Sequence, residues 1–260
     1  MKIATFNING IKARIEALPA WLDEAQPDVA LLQEIKSVDE AFPRALFEDL
    51  GYNVETHGQK SFNGVAILSK RPLEDVTRGL PGDDGDEQAR YIEATVIGDT
   101  SAVRLCGLYL PNGNPAPGPK YDYKLAWMER LRARAQTLLA EETPFVMAGD
   151  YNIIPQAEDA AKPDSWRDDA LFRLESRTAF RRLLNLGLTE AFRARTQGPG
   201  HYSFWDYQAG AWNRNNGIRI DHLLLCPQAA DMLQDCQIDK DVRGRDKPSD
   251  HVPVWIDLAA

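Results

Sequence analysis

The stretch FVMAGDYN, residues 145–152, is an apolar run that ends in polar side chains. Its first four residues are typical of a buried β-strand, and Asp150 and Asn152 follow at a spacing of two. Side chains two residues apart on an extended segment point the same way. One of them can therefore act on a water nucleophile while the other binds that water or a phosphate oxygen. A polar turn with Asx-type hydrogen bonds accounts for the same residues, so the stretch needs support from elsewhere in the chain.

Three other strings have the same design. FNING (6–10), LQE (32–34) and SDH (249–251) each place carboxylate, amide or imidazole groups beside a strand-like run. Strand ends belong to a rigid frame, so these groups can converge on one point. Two carboxylates, two amides and a His–Asp pair around one point suit the metal-assisted attack of water on a phosphodiester.

Glu34 is the strongest metal-ligand candidate from its own surroundings, since it directly follows the apolar run Ala30–Gln33. A carboxylate at the end of a buried strand is costly unless it is paired or bound to a metal. Mg²⁺ prefers oxygen ligands and keeps several waters, which suits such a carboxylate. The alternative is a salt bridge to Lys36 or another neighbour.

The other polar residues are weaker signals when taken singly. Asn7 and Asn9 share the spacing of two, but Asn-Gly is a common turn. His251 lies beside an apolar strand, where most histidines are structural. Asp221 supplies a carboxylate that can hold this imidazole in one tautomer.

The patterns along the chain predict an α/β protein. Strand patterns cover residues 2–8, 28–33, 52–56, 65–69, 91–97, 103–110, 145–148, 218–226 and 252–258. Helical patterns cover residues 13–25, 39–50, 121–142 and 176–186. PNGNPAPGP, residues 111–119, must be a loop. The strands fall into two groups, so we predict two sheets face to face with helices outside, a four-layer α/β sandwich.

Composition narrows the class of protein. The chain has 260 residues, 43% of them apolar, and no linker-like stretch, so we expect a single domain over residues 1–260. A net charge of −9 argues against a general nucleic-acid-coating protein, but it leaves room for a nuclease with a locally basic face. Cys106, Cys226 and Cys236 form no CxxC motif; we expect Cys106 and Cys226, which lie in apolar runs, to be buried thiols, and this suits a reducing cytoplasm. We expect no secretion signal and no membrane span.

Taken together, the strings resemble the exonuclease III family of DNA-repair enzymes. The resemblance runs from residue 2 to residue 257 and rests on FNING, LQE, LPNG (110–113), GDYNI, FWDY (204–207), GIRID (217–221) and SDHVPV. It implies a deoxyribonuclease-I-like endonuclease/exonuclease/phosphatase fold. It also implies Mg²⁺-dependent activity on duplex DNA, with Mn²⁺ as a possible substitute: 3′→5′ exonuclease, abasic-site endonuclease, and 3′-phosphatase or phosphodiesterase.

The resemblance also implies roles for individual residues. Glu34 is similar to the metal-binding glutamate, with Asn7 as a minor ligand or neighbouring amide, and we add Asp250 as a metal ligand. For catalysis, the family pattern implies water alignment or deprotonation by Asp150 with Asn152, and a phosphate-facing His251 held by Asp221. Tyr109 is similar to the tyrosine whose hydroxyl meets the phosphate, and we expect His251, Tyr109 and Asn7 to stabilise the negative charge that develops on the phosphoryl oxygens. Whether Asp150 or His251 is the base stays open.

Contacts with DNA are expected from a basic and polar rim and from an apolar pocket for an abasic sugar. We assign them to Arg90, Asn112, Lys120, Phe204, Trp205 and Ile220; the three apolar residues are otherwise ordinary core. Further basic candidates are Lys36, Lys60, Lys124, Arg177, Arg181, Arg214 and Arg219. The chain departs from some relatives at Ile218, where they carry Trp, and at His222, which we interpret as a structural histidine.

These assignments predict a monomer that acts on double-stranded DNA with abasic sites, nicks or blocked 3′ ends. One alternative is a phosphodiesterase of the same fold that acts on an inositol phosphate or sphingomyelin. Another is a catalytically inactive DNA-binding protein, which should have lost part of the polar set.

Overall fold

The computed structural model describes all residues, Met1–Ala260, as twelve strands and six α-helices joined by short 3₁₀ turns. The strands are β1 (Lys2–Asn7), β2 (Val29–Gln33), β3 (Asn53–His57), β4 (Val65–Ser69), β5 (Leu73–Arg78), β6 (Tyr91–Ile97), β7 (Ala102–Tyr109), β8 (Phe145–Asp150), β9 (Thr189–Glu190), β10 (Asp221–Leu225), β11 (Leu233–Ile238) and β12 (Val254–Leu258). The helices are α1 (Ala17–Ala25), α2 (Arg44–Glu48), α3 (Pro119–Ala140), α4 (Leu174–Leu184), α5 (Ala191–Arg195) and α6 (Pro227–Asp231).

Two six-stranded sheets form the centre of the molecule, in the orders β11-β12-β1-β2-β4-β3 and β5-β6-β7-β8-β10-β9. Each sheet has one parallel pair at its centre, β1 with β2 and β7 with β8, and its other pairs are antiparallel. Strands β2 and β8 are buried throughout, as continuous apolar runs covered on both faces should be. The predicted pair of packed sheets is confirmed. No helix has the combined length and apolar character needed to cross a bilayer.

The alternation of side chains along the strands builds two cores. Ile3 of β1 lies between the sheets in the same buried cluster as Met147 of β8. Its neighbour Ala4 faces the other way, into a second cluster with Leu22 and Trp21 of α1. This period of two fixes which residues at each strand end face the rim of the sandwich.

The differences from the sequence prediction lie mainly in short or exposed elements. β5 and β11 were not predicted, because polar residues interrupt both strands and leave no clear apolar signal. Residues 39–50 do not form one helix: a 3₁₀ turn at Asp39–Ala41 precedes Pro43, and α2 begins after it. The strand predicted at 218–226 begins only at Asp221. Cys106 and Cys226 are buried, as predicted, and Cys236 is buried as well.

A buried ion network fixes the segment that leads into β10. Arg219, which is 1% exposed, donates from Nε to Asp159 Oδ1 (2.8 Å) and from Nη1 to Glu190 Oε1 (2.9 Å). Its Nη1 also lies 3.0 Å from His222 Nδ1. His222 Nε2 lies 3.0 Å from the carbonyl oxygen of Ile153, so the interpretation of His222 as structural is confirmed. Arg219 is therefore a structural cation, and the prediction that it contacts DNA is wrong.

Glu190→Gln should reduce the loss of stability in acid. Burial raises the pKa of Glu190, but Arg219, His222 and the Arg193 N–H outweigh it and lower the pKa from 4.5 to about 2. The ionised carboxylate therefore stabilises the fold above pH 4.5, and this contribution disappears as the pH falls toward 2. At pH 7, removing one partner of a buried pair should cost about 3–5 kcal/mol.

Urea denaturation of this variant from pH 7 to pH 2 measures the effect. Glu158→Gln is the matched control, because Glu158 meets Arg193 at 3.6 Å and is one-third exposed; its effect should stay below about 1 kcal/mol. An unchanged acid profile in Glu190→Gln would contradict the assignment.

Candidate active site

The strand ends meet at one cleft of about 250 Å³ at the rim of the sandwich. Asn7 ends β1, Glu34 follows β2, and Asp150 ends β8. Strand register brings Tyr109 of β7 and Asp221 of β10 beside Asp150, because both residues pair directly with it. The cleft is lined by Glu34, Tyr109, Asn112, Asn114, Asp150, Asn152, Trp166, Leu171, Phe204, Asp206, Ile220, Asp250 and His251.

A buried triad of Asp221, His251 and Asp150 lies at the floor of the site. His251 Nδ1 is 2.9 Å from Asp221 Oδ2, and His251 Nε2 is 3.6 Å from Asp150 Oδ2. Burial alone lowers the pKa of His251, but the charges of Asp221 and Asp150 outweigh it and raise the pKa. His251 is therefore held as an imidazolium. Burial raises the pKa of Asp150, and the charge of His251 opposes that effect.

A single amide bridges the two principal carboxylates. Asn7 Nδ2 donates to Glu34 Oε1 and to Asp150 Oδ2, both at 2.9 Å. Glu34 Oε2 also pairs with Lys36 Nζ at 2.9 Å, so the salt bridge considered as the alternative does exist. Burial raises the pKa of Glu34, but the hydrogen bonds from Asn7 and Lys36 outweigh it and lower the pKa. Glu34 is thus an ionised carboxylate that still lines the cleft.

The turn after β8 has the Asx-type geometry considered as the alternative for GDYN, and the predicted extended spacing of Asp150 and Asn152 is wrong. The strand ends at Asp150, whose Oδ1 accepts a hydrogen bond from the Asn152 N–H at 2.8 Å, an Asx-type turn. Asn152 is left-handed, with φ of 47°, so this turn, rather than extended spacing, brings its amide to the cleft. Asn9, Glu34 and Lys36 are also left-handed. Such strained non-glycine residues cluster at functional sites.

Neighbouring residues hold the side chains of Asn152 and Tyr109 at the cleft. Asn152 Nδ2 donates to the Leu110 carbonyl at 2.8 Å, and its Oδ1 accepts from Asn112 Nδ2 at 3.1 Å. The guanidinium of Arg90 lies over the Tyr109 ring at 4.9 Å. Burial, with the nearby charges of Glu34 and Asp150, raises the pKa of Tyr109 well above its usual value, so its hydroxyl remains a proton donor.

One wall of the cleft is apolar. Phe204 and Ile220 form it together with Trp166 and Leu171. The Phe204 ring meets the His251 ring edge-on, with centroids 5.0 Å apart. Sequence reasoning missed Trp166 and Leu171, because both lie in the irregular segment between β8 and α4, where no periodic pattern marks a buried face.

Trp205 lies elsewhere. It is fully buried, packs edge-on against Tyr202 and Trp212, and donates from Nε1 to Asn215 Oδ1 at 3.2 Å. The prediction that it lines the pocket beside Phe204 is wrong: adjacent residues on an extended segment point to opposite sides. Its interpretation as core is the correct one.

Of the remaining predicted site residues, some line the cleft and others do not. Asp250 and Asn112 lie at the cleft, with Asp250 Oδ1 accepting from Asn9 Nδ2 at 3.0 Å. Lys120 is exposed at the start of α3 and does not line the cleft. Lys124 is fully buried, so the prediction that it contacts DNA is wrong.

The donor set suits a hard divalent cation. Glu34 and Asp150 offer carboxylate oxygens at one end of the site, and Mg²⁺ prefers such ligands. The Asn7 amide presents its nitrogen to both carboxylates, while its oxygen accepts from the Asn9 N–H at 3.1 Å, so the structure places Asn7 as a neighbouring amide. Ligand atoms of Asp150, Asp221 and His251 also lie within 4.8 Å of one another. Asp221 and His251 are already hydrogen-bonded to each other, which favours the Glu34 end for an ion.

Fold and site together define a metal-assisted phosphoesterase of the sandwich type, and comparison with known proteins agrees. Residues 4–251 match the endonuclease/exonuclease/phosphatase family. The chain is 37% identical to exodeoxyribonuclease III of Haemophilus influenzae, covering 99% of this chain and all of that protein.

Solved structures narrow the class. An AP endonuclease from Archaeoglobus fulgidus superposes with a TM-score of 0.93 at 36% identity, over the full length of both chains. The 3′ phosphatase NExo from Neisseria, solved with a product DNA hairpin, superposes with a TM-score of 0.94 at 34% identity, again over both full chains. The chain belongs to the exonuclease III and AP endonuclease family of DNA-repair nucleases.

Proposed function

We propose that this protein is a Mg²⁺-dependent hydrolase of phosphodiester bonds in damaged duplex DNA. It would act as a monomer in the cytoplasm on abasic sites, nicks and blocked 3′ ends, and Mn²⁺ would be able to replace Mg²⁺. The observation that carries the proposal is the Asn7 amide that joins Glu34 to Asp150, with the Asp221–His251 pair on the other side of Asp150.

Glu34 would hold the cation, with Asn7 beside it and Asp250 as a further oxygen donor. When bound, Mg²⁺ supplies Lewis-acid polarisation of the phosphate and stabilisation of the leaving oxygen. The protein's own groups do the rest. Asp150 and Asn152 align the attacking water, while the His251 imidazolium donates to a phosphoryl oxygen.

Charge develops on the phosphoryl oxygens during the attack, and preorganised donors stabilise it. His251 is held protonated by Asp221 before substrate arrives, and the Tyr109 hydroxyl is a donor at the same cleft. The Asn7 amide holds the two carboxylates in place, so little reorganisation is needed when the phosphate binds.

DNA would be held by phosphate contacts at the rim and by the apolar wall. Arg90, Asn112 and Lys120 are the proposed rim contacts. Phe204 and Ile220 would accept a sugar that lacks its base, because no base has to be unpaired there. Binding of a polyanion by an acidic protein requires a local basic rim, so affinity should fall steeply with salt.

Timed digestion of three labelled duplexes tests the proposal: one with a plain 3′ end, one with an abasic analogue and one with a 3′-phosphate. Turnover of at least one duplex with Mg²⁺, and none of an inositol polyphosphate, is the expected result. Turnover of the inositol polyphosphate alone would support the alternative, a phosphodiesterase of the same fold that acts on an inositol phosphate. Binding of DNA without any turnover would identify an inactive DNA-binding protein.

Glu34→Gln should weaken Mg²⁺ binding and lower activity while the fold stays intact, because a neutral amide is a poorer ligand for a hard cation than a carboxylate. Titration of activity with Mg²⁺ measures the shift in the metal concentration required. Glu55→Gln is the matched control, since Glu55 on β3 forms a salt bridge with Arg78 on β5 and does not line the cleft. Wild-type activity of Glu34→Gln at the same Mg²⁺ concentration would remove Glu34 from the ligand set.

Phe204→Ala should change the ratio of abasic-site cleavage to 3′-phosphate removal, because its ring forms part of the wall that meets the sugar. Phe47→Ala is the control: Phe47 is fully buried in the second core, so this change should lower the Tm without altering the ratio. Equal loss of both activities in Phe204→Ala, together with a lower Tm, would identify Phe204 as ordinary core.

A further inference from the structure

Lys124 on α3 is a buried cation to which the proposed mechanism assigns no task. Its side chain is fully buried, and its Nζ donates to three backbone carbonyls: Asn152 at 2.6 Å, Asn112 at 3.1 Å and Ala170 at 3.2 Å. An ammonium group has three protons, so all of its donors are used. No carboxylate forms a salt bridge with it.

The three carbonyls belong to three separate loops around the cleft. Asn112 follows β7, Asn152 follows β8, and Ala170 precedes the cleft residue Leu171. Two further hydrogen bonds, both involving side chains, connect the same loops. Asn112 Nδ2 donates to Asn152 Oδ1 at 3.1 Å, and the Ala170 N–H donates to Asn114 Oδ1 at 3.1 Å. One cation therefore lies where these three loops meet.

The main chain packs closely against the Lys124 side chain at Gly113. A Cβ at Gly113 would lie 2.7 Å from Lys124 Cδ, so the loop passes too close to the lysine for a side chain at that position. Burying an ammonium is costly, and burial lowers the pKa of Lys124 to about 7 although Asp150 and Asp169 oppose the shift. A simple core position would favour an apolar residue.

We propose that Lys124 is a positioning residue that holds Asn152 in its left-handed turn and so fixes its amide beside Asp150. The proposal rests on the proposed function, in which Asn152 acts at the water or the phosphate. Without the ammonium, the carbonyls of Asn152, Asn112 and Ala170 each lose a hydrogen bond, and of these Ala170 keeps the Ser176 hydroxyl as a donor. Asn152 itself then keeps its hydrogen bonds to Asp150, Leu110 and Asn112.

Lys124→Met tests this assignment, because Met keeps an unbranched side chain of similar size and loses every donor. We expect kcat for cleavage of an abasic duplex to fall about 10²-fold, the size of effect that small misplacement of a catalytic group produces, with KM little changed. Met128→Ala is the control: Met128 is buried on α3 four residues further on, so its loss should lower the Tm and leave kcat unchanged below the Tm.

A second readout does not depend on activity. A crystal structure of Lys124→Met should show Asn152 outside the left-handed region, or its amide displaced from Asp150. If the wild type cleaves no DNA, the proposed function fails and this structural result still decides the role of Lys124. If Lys124→Met does not fold, Lys124→Gln retains two donors and should have a kcat between those expected for wild type and Lys124→Met. Wild-type kcat in whichever variant folds, or an unmoved Asn152, would overturn the proposal.

Discussion

Asp150→Asn is expected to lower kcat for abasic-site cleavage by about 10²–10⁴-fold, the usual worth of a positioned acid–base group, with little change in the Kd for duplex DNA. The carboxylate is buried and has one oxygen between Asn7 and the His251 imidazolium, where it can align or deprotonate water. An amide at this position keeps the shape but loses the charge and the basicity. The loss is confined to the transition state, so it should appear in kcat rather than in binding.

Single-turnover cleavage together with DNA-binding titration measures these two quantities. Asp239→Asn is the matched control: Asp239 is also a hydrogen-bonded acid, accepting from the Nε1 groups of Trp21 and Trp255, and it does not line the cleft. Its replacement should leave kcat unchanged. A normal kcat with weakened DNA binding in Asp150→Asn would reverse the assignment and make Asp150 a binding residue.

His251→Asn should be similarly damaging, and Asp221→Asn less so. In the proposed mechanism the imidazolium faces the reacting phosphate, whereas Asp221 orients it through the 2.9 Å contact and raises the pKa of His251. In the double variant the losses should be clearly non-additive, because Asp221 acts only through the histidine.

Values of kcat/KM for the two single variants and the double variant decide the coupling. His57→Asn is the matched control, since His57 ends β3 away from the cleft and should tolerate the change. Additive losses would mean that Asp221 and His251 do not work as a pair.

The fold and most of the polar site could be predicted from the sequence, because the polar residues of the site lie at the ends of the apolar runs that predict the strands. The interior strands are continuous apolar runs, and each catalytic candidate lies where such a run ends, as Asp150 does after β8. Convergence then follows from strand register, which pairs Asp150 directly with Tyr109 and Asp221. The pairing partners themselves are set by long-range contacts and had to come from the structure.

Other features had no local signal. The sequence does not show whether a basic side chain is exposed or buried, so Lys124 and Arg219 were predicted to contact DNA although both are buried. Trp166 and Leu171 reach the apolar wall from irregular segments, which lack a period. Trp205 was assigned to the pocket because it is an aromatic residue next to Phe204, but its side chain lies in the second core.

Cleavage of a duplex that carries one abasic analogue, with Mg²⁺ and after its removal by EDTA, is the most direct test of the central claim. Wild-type protein and Asp150→Asn would be measured side by side, with DNA binding followed in the same samples. We predict cleavage by the wild type only with Mg²⁺, and binding without appreciable cleavage by Asp150→Asn. Undiminished cleavage by Asp150→Asn, or no cleavage by the wild type with either Mg²⁺ or Mn²⁺, would contradict a metal-assisted phosphodiesterase at this cleft.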